Sequence, residues 1–485
     1  MRLIAAPLLL GVIQELENGK LQADLSISAV PAMSLRATLA QLMGVLAATP
    51  IHLSETALNI TAVGLTTDTR SLKPGEVFLA LRGENFDGHQ FVEAAIAQGA
   101  IAAITDPASR LPDSIPQLQV RDTLAAYQAL GRWWREQFSI PVIAITGSVG
   151  KTTTKELIAA VLGIYGPVLK TQANYNNEIG VPKTLLELGP EHVYAVIEMG
   201  MRGPGEIACL SRIARPDIAV ITNVGTAHIG RLGSREAIAQ AKCELLAEMP
   251  QKTSIAVLNA ENSLLLETAK TVWQGQTLTY GLENGDLRGR LVDEQTLEVE
   301  GTQFPLPLPG DHNALNFLAA LAITKLLRLD WSALTKGLSV NLPSGRAQRY
   351  TLANDVVILD ETYNAGPESM EAALRLLAQT SGQRHIAVLG PMKELGEHSW
   401  ELHRQIGKVV HQLNLDSLLI LGTDLAGTAF AEGAFPVKSQ QFSSHEALVE
   451  YLRKFVKSGD RLLFKASHSI GLEQVVEQLR NSFPT

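Results

Sequence analysis

The sequence predicts an α/β protein of three domains built on largely parallel sheets. Three observations carry that reading. A chain of 485 residues is about three domains long at roughly 150 residues each. Short β-branched apolar runs alternate with helical patterns from residue 76 to the end, the pattern of strand–helix–strand units. One of those runs passes straight into a glycine loop and a helix, which is the local order of a nucleotide site on a parallel sheet.

Taken in chain order, the first block covers residues 34–138. It holds expected strands at 76–81, 100–105 and 117–120, with a helix at 91–98. The second block covers 139–343 and opens on the linker Ser139-Ile140-Pro141. Its strands are expected at 142–146, 193–199, 218–223 and 254–259, and a helix at 237–249. The segment 303–310, with Pro305, Pro307 and Pro309, reads as an extended lead-in to the next helix. The third block, 344–485, follows a Pro/Gly break and holds strands at 356–360, 385–389, 417–421 and 461–465. Residues 1–33 read as an N-terminal extension. Their apolar run 3–13 is broken by Pro7 and Gly11, and no run reaches the roughly 18 residues of a membrane helix.

Composition narrows the function classes. Hydrophobic residues are 46% and charged residues 19%, which excludes wholesale disorder. The net charge of −8 argues against a broad nucleic-acid footprint. Cys209 and Cys243 form no CxxC motif, and two cysteines suit a reducing cytoplasm.

The strongest local signal is residues 142–153. A buried-type strand, Val142 to Thr146, leads into Gly147-Ser148-Val149-Gly150-Lys151-Thr152-Thr153 and then a helix. Glycines let backbone amides turn inward, and the helix N-terminus adds positive potential. Lys151 would reach the β- and γ-phosphates of ATP, and the Thr152 hydroxyl would take Mg²⁺. Ile145 stands where the longer form of this loop has a glycine, so this is the shorter GxxGKTT.

Further candidates lie downstream. Glu198 ends a parallel strand, where a carboxylate can hold Mg²⁺ or can simply be solvated. His228 lies just past another strand end, on the ligand rim or as an ordinary loop histidine. Lys242 sits in a helical pattern, where a lysine is usually a surface charge. Asn313 and Asn316 share one helix edge. Paired amides there suit an adenine, and Asn313 could equally cap the helix. Leu315, Leu318, Ala319 and Ala322 form the expected buried stripe of that helix.

These pieces together resemble the Mur ligase family, the ATP-dependent amide-bond-forming enzymes of peptidoglycan precursor synthesis. The matching stretches are TGSVGKTTTKE (146–156), TQANYNNEIGVPKTLL (171–186), IEMG (197–200), NVGTAHIG (223–230), AKCE (241–244), GDHNALNFLAA (310–320) and SGR (344–346). TTDTRSLKPGEVFLALRGENFDGHQF (66–91) resembles the family's N-terminal UDP-binding module. LDETYNAGPESM (359–370) and LGPMKELGEHSWELHRQIG (389–407) resemble the third domain of the members that add D-alanyl-D-alanine to UDP-N-acetylmuramoyl-tripeptide. Ala173 and Gly366 depart from common family residues at positions without obvious chemistry.

The resemblance implies a UDP-binding α/β domain, a central P-loop ATPase domain with a mostly parallel sheet, and a C-terminal Rossmann-like α/β domain. The third would bind the incoming D-Ala-D-Ala. It implies ligation through an acyl phosphate, giving the UDP-pentapeptide, ADP and phosphate. By resemblance, Gly147 to Thr153 bind ATP, with Asn313 and Asn316 at the adenine region and Arg346 at the phosphates. Asp360, Tyr363 and Asn364 line the nucleotide from the third domain. Thr152 and Glu198 serve one magnesium. His228 and Lys242, the latter as a CO₂-derived carbamate, serve a second. Asp68, Thr69, Arg70, Asn85, Phe86, Asp87, Gly88, His89, Asn174 and Asn177 address the UDP-substrate. The expected partners are small molecules only, with no nucleic acid and no membrane span, and the expected state is a cytoplasmic monomer.

Overall fold

The apolar runs become strands buried on both faces, and helices cover them. A computed structural model describes residues 35–83, 86–108 and 111–482. The expected extension 1–33 and the candidate Asn85 lie outside the described residues.

The first domain carries a five-stranded sheet of β1 (Thr49–Ile51), β2 (Leu65–Thr66), β3 (Val77–Leu79), β4 (Ala102–Thr105) and β5 (Gln117–Gln119), in the order β1-β5-β4-β3-β2. β2 to β5 run parallel and β1 is antiparallel. Helices α1 (Leu39–Leu46), α2 (Val92–Ala97) and α3 (Thr123–Arg135) pack around it. Alternation sorts the core: Val77 and Leu79 join one apolar cluster and Phe78 and Ala80 the other.

Helix α3 fastens this domain to the next. Trp134 donates from Nε1 to Leu188 O at 3.0 Å. The buried Arg135 donates to Ala214 O and Arg215 O, both at 3.2 Å, and pairs with Asp217 at 2.9 Å.

The central domain runs β6 (Val142–Thr146), α4 (Lys151–Leu162), β7 (Val168–Lys170), β8 (Tyr194–Glu198), α5 (Glu206–Ala214), β9 (Ile218–Ile221), α6 (Arg235–Ala247), β10 (Ile255–Asn259), β11 (Gln276–Gly281), β12 (Leu287–Asp293), β13 (Thr296–Val299), β14 (Thr302–Pro305) and α7 (Asp311–Leu326). The strand order is β7-β8-β6-β9-β10-β11-β12-β13-β14. The strands are parallel as far as β12 and antiparallel in the closing meander. After β6 the chain moves to one side of it and later returns to the other. The carboxyl end of β6 is thus a switch point of the sheet, where α/β proteins bind ligands.

The third domain has β15 (Gln348–Leu352), β16 (Val356–Asp360), α8 (Pro367–Gln379), β17 (Arg384–Leu389), α9 (Ser399–Gln412), β18 (Ser417–Leu421), β19 (Ser439–Phe442), α10 (His445–Phe455), β20 (Asp460–Lys465) and α11 (Glu473–Arg480). Its order is β15-β16-β20-β17-β18-β19, parallel apart from β15. It docks on the central domain where the short helix Ile229–Leu232 packs on Gly396–His398.

One expectation is sharpened and two are corrected. The proline-rich lead-in is in part strand β14, paired with β13. Pro305 is tolerated there because it ends an edge strand. Helix α7 is buried almost all round, so a single stripe does not describe it, and Leu315 is only half-buried and lines a cleft. Strands β1, β2, β7, β11, β12, β13, β15 and β19, not expected from the sequence, complete the three sheets.

Candidate active site

The phosphate loop sits at the end of β6. Thr146 Oγ1 donates to Met199 O at 2.9 Å and ties the strand to its neighbour. Gly147 and Gly150 have φ of +153° and +81°, and both also lack room for a side chain. A Cβ would fall 1.9 Å from Thr222 Oγ1 at Gly147 and 2.8 Å from Asn316 Oδ1 at Gly150. Asn223 Oδ1 accepts from the Ser148 and Val149 amides at 3.1 and 3.0 Å, fixing the loop. No side chain caps α4, so the amides of its first turn keep free positions for an anion.

Lys151 Nζ donates to Gly147 O at 2.8 Å and Ser148 O at 3.3 Å. Burial pushes its ammonium below the ordinary lysine range; the Glu198 charge opposes that, and Arg346 adds to it. Glu198 is 2% exposed at the end of β8. Its Oε1 accepts from Asn176 Nδ2 at 2.9 Å, while Oε2 is buried without a hydrogen-bond partner. Lys155 Nζ lies 3.7 Å from that Oε2.

Two more candidates share this electrostatic neighbourhood. His228 has φ +67° and precedes the helix Ile229–Leu232. Burial lowers its imidazole, with Lys151 the next contributor; Glu394, whose Oε2 is 2.6 Å from Nδ1, acts in the other direction. Lys242 is 1% exposed on α6. The surface reading of this lysine fails: burial, and then Lys151, drive its ammonium well below the lysine range, opposed among the described residues by Cys243. Among the described residues, no three His, Cys, Asp or Glu side chains gather as a ready-made metal site.

A cleft of about 330 Å³ joins the loop to α7 and the third domain. It is lined by Ser148 to Thr153, Asn313, Asn316, Arg346, Tyr363 and Asn364. The paired amides are engaged within the protein. Asn313 Nδ2 donates to Pro309 O at 2.8 Å, Asn316 Nδ2 to Asn313 Oδ1 at 3.3 Å, and Thr154 Oγ1 to Asn316 Oδ1 at 3.1 Å. They therefore rivet α7 to α4 as well as facing the cleft. Arg346 stacks 4.4 Å over the Tyr363 ring.

Asp360 differs from its expected placement: it is buried and accepts from Thr362 N at 3.1 Å and Thr362 Oγ1 at 2.6 Å. Its neighbour Glu361 lines the cleft instead, 3.8 Å from the buried Lys465 Nζ. An acidic residue at a strand end was legible in the sequence; which of two adjacent ones faces the ligand was not.

In the first domain, Asp68, Thr69, Arg70 and Phe86 line a second cavity with Thr67, Phe78 and Phe91. Arg70 Nε and Nη2 donate to Asp68 at 2.9 and 2.7 Å, which holds the Asp68 carboxyl down at about 2. The half-exposed Phe86 and Phe91 rings stand 6.5 Å apart. Asp87 and His89 turn to each other at 2.6 Å, and Gly88 lies against Leu81 backbone, where a Cβ would be 2.7 Å from Leu81 O. These three shape the loop.

Asn177 caps the Gly180 amide at 2.9 Å and Asn174 is exposed. Neither reaches Glu198; Asn176, which the sequence reading passed over, does. Lys155, Asn223, Glu368 and Glu394 were also passed over, because nothing in their spacing marks them.

Three family models cover most of the chain: "Mur ligase family, catalytic domain" at residues 61–132, "Mur ligase middle domain" at 145–324 and "Mur ligase, glutamate ligase domain" at 345–468. The UDP-N-acetylmuramoyl-tripeptide--D-alanyl-D-alanine ligase of a Synechocystis strain is 57% identical over 86% of this chain and 92% of its own length. The chain belongs to the Mur ligase family. The enzyme of the same name from Escherichia coli is 36% identical over 87% of the chain and 95% of its own length. Among solved Mur ligases, a MurF from Acinetobacter baumannii superposes with TM-score 0.83 at 34% identity, over 93% of this chain and all of its own. A Thermotoga maritima MurF in complex with ADP gives 0.76 at 31%, over 86% and 97%.

Proposed function

We propose that this Mur ligase joins D-alanyl-D-alanine to UDP-N-acetylmuramoyl-tripeptide with ATP, through an acyl phosphate, releasing ADP and phosphate. The observation that supports this most is the P-loop and its Lys151 in a cleft shared with the third domain, set in a chain 57% identical to a ligase of that name.

Chemistry explains the arrangement. A carboxylate is a poor acyl donor, so its oxygen attacks the γ-phosphorus of ATP and ADP leaves. The amine then adds to the acyl carbon, and phosphate departs from the tetrahedral adduct. Carboxylate and γ-phosphate are both anions, so charge neutralisation does most of the catalytic work. Lys151, released from its loop carbonyls by the phosphates, supplies one positive charge. Arg346, held flat on Tyr363, supplies another from the third domain. The first-turn amides of α4 orient the phosphate oxygens. The cavity beside Asp68, Arg70 and Phe86 suits a uracil or ribose against the aromatic pair.

The donor set fits magnesium. The Oε2 of Glu198, buried and not hydrogen-bonded, and the buried Thr152 hydroxyl are hard oxygen donors. His228 and a carbamate on Lys242 would serve a second ion. Lys242 suits that modification, since a neutral amine reacts with CO₂ and burial favours the neutral form. Bound there, magnesium would neutralise the phosphates and polarise the transferring phosphoryl group. Cytoplasmic location and a monomeric state are part of this proposal; among the described residues no helix is long and apolar enough to cross a membrane.

Product analysis tests the reading. With ATP, D-Ala-D-Ala and UDP-tripeptide, the expected products are the UDP-pentapeptide by mass and one phosphate per amide. Phosphate release at full rate from ATP alone would refute it.

A further inference from the structure

Two carboxylates of the third domain grip the loop that carries His228, one on each side of it. Glu368, in the first turn of α8, accepts through Oε1 from Thr226 N at 2.7 Å and Thr226 Oγ1 at 3.0 Å. Glu394, in the loop after β17, lies 2.6 Å from His228 Nδ1 and 3.4 Å from Arg231 Nη2. The Glu394 carbonyl also accepts from the Gly230 amide at 3.2 Å.

The backbones are shaped for this meeting. His228 and Glu394, neither of them glycine, both take left-handed conformations, with φ of +67° and +64°. Such residues persist only where surroundings over-determine them. Gly225 and Gly230 leave no space. A Cβ would fall 2.5 Å from the Glu368 carboxyl at Gly225, and 2.5 Å from Gly396 N at Gly230. The loop that carries Glu394 is itself anchored, since the buried His403 accepts from Met392 N at 2.9 Å.

We propose that Glu368 and Glu394 are positioning residues that seat the His228 loop from the third domain, so that His228 is correctly presented only when that domain is docked. The Glu394 carboxylate 2.6 Å from Nδ1 contacts the ring without the angle of a hydrogen bond, so it fixes where the ring sits and leaves Nε2 to act. Here the partner comes from a different domain, so docking and presentation of the ring are one event. The inference rests on the reading of His228 as part of the reacting centre.

Three variants of the full-length enzyme test it: Glu394→Gln, Glu394→Ala and Gly230→Ala. Gly230→Ala wedges the contact while leaving both carboxylates intact, and its φ tolerates alanine. For each, kcat and the KM for ATP are measured. The ring-nitrogen NMR signals of His228 are followed in ¹⁵N-histidine-labelled protein, assigned by difference from His228→Asn. Glu394→Ala and Gly230→Ala should each lower kcat by about 10–100-fold, keep the ATP KM within about twofold, and shift the His228 signals. Glu394→Gln keeps an acceptor and should recover part of the kcat. Unchanged kcat in both alanine variants would overturn the proposal, as would a fall in kcat with wild-type His228 signals. A fully active His228→Asn would instead refute the premise about His228, and the ring signals would then report on the contact alone.

Discussion

Lys155→Met offers the sharpest test of how the site is held together. Lys155 is fully buried on α4, one helical turn beyond Lys151. Its Nζ donates to Thr171 O at 2.8 Å and lies 3.1 Å from Glu156 Oε1 and 3.7 Å from Glu198 Oε2. Unit charges at such separations attract by roughly 4–5 kcal/mol at an effective dielectric constant near 20. Much of that attraction offsets the cost of burying the ions. Removing one partner of a buried pair strands the other, however, and costs about 3–5 kcal/mol. For a unit of 150–250 residues each kcal/mol moves Tm by about 2–4 °C, so the transition should fall by about 6–20 °C. Calorimetry and urea unfolding both read this. Adding Glu198→Gln removes the stranded charge, so the double variant should lose about 1–3 kcal/mol less than the two single losses added together. A Lys155→Met protein within about 1 kcal/mol of wild type, or strict additivity with Glu198→Gln, would refute the idea that Lys155 holds the Glu198 carboxylate in place.

Lys151→Ala should fold normally and lose at least about 3 kcal/mol of transition-state stabilisation, at least a hundredfold in kcat; near-normal turnover would remove the phosphate-loop assignment. Lys242 should show a carbamate signal by NMR after ¹³C-bicarbonate labelling, and Lys242→Arg should lose both that signal and most activity. An active enzyme with no such signal would return Lys242 to a packing role. Burial pushes the Cys243 thiol up to about 12, so at pH 8 only about one molecule in 10⁴ is thiolate. Native protein should resist iodoacetamide at Cys243 and react in urea; fast native labelling would contradict the burial of α6.

The sequence revealed most where local chemistry is self-contained. The strand, glycines and Lys-Thr of residues 142–153 sit together because the backbone puts them together, and the structure runs them as strand β6, a loop and the first turn of α4. Glu198 was legible because a carboxylate ending a buried parallel run lies at the carboxyl end of the sheet, where ligands bind. Lys242 was not legible from its helix, where a lysine reads as a surface charge. Only tertiary packing buries it, and only the family resemblance pointed to it. Asp360 and Glu361 show the limit of one-residue resolution, since rotation at a strand end decides which faces the cleft. Asn176 was missed beside Asn174 and Asn177, since three asparagines within one loop carry no mark of which one turns inward. Strands β12 and β13 alternate buried and more exposed residues over seven and four positions, so they carry no continuous apolar run of the kind that marked the central strands. Glu368 and Glu394 act across domains, and no spacing along the chain encodes that.

The anchoring of α3 bears on how such proteins exchange parts. Arg135 hands its donors to carbonyls at residues 214 and 215 and pairs with Asp217, while the amide of Leu35 reaches back to Leu186 O at 3.0 Å. The visible linker at 139–141 is therefore not the seam of a module. A chimera cut there, made to import a different sugar-nucleotide preference, would leave a buried guanidinium without its acceptors on one side and bare carbonyls on the other. Recombination that preserves folding has to carry α3 together with its receiving surface at residues 178–217. The first two domains are then inherited as one unit.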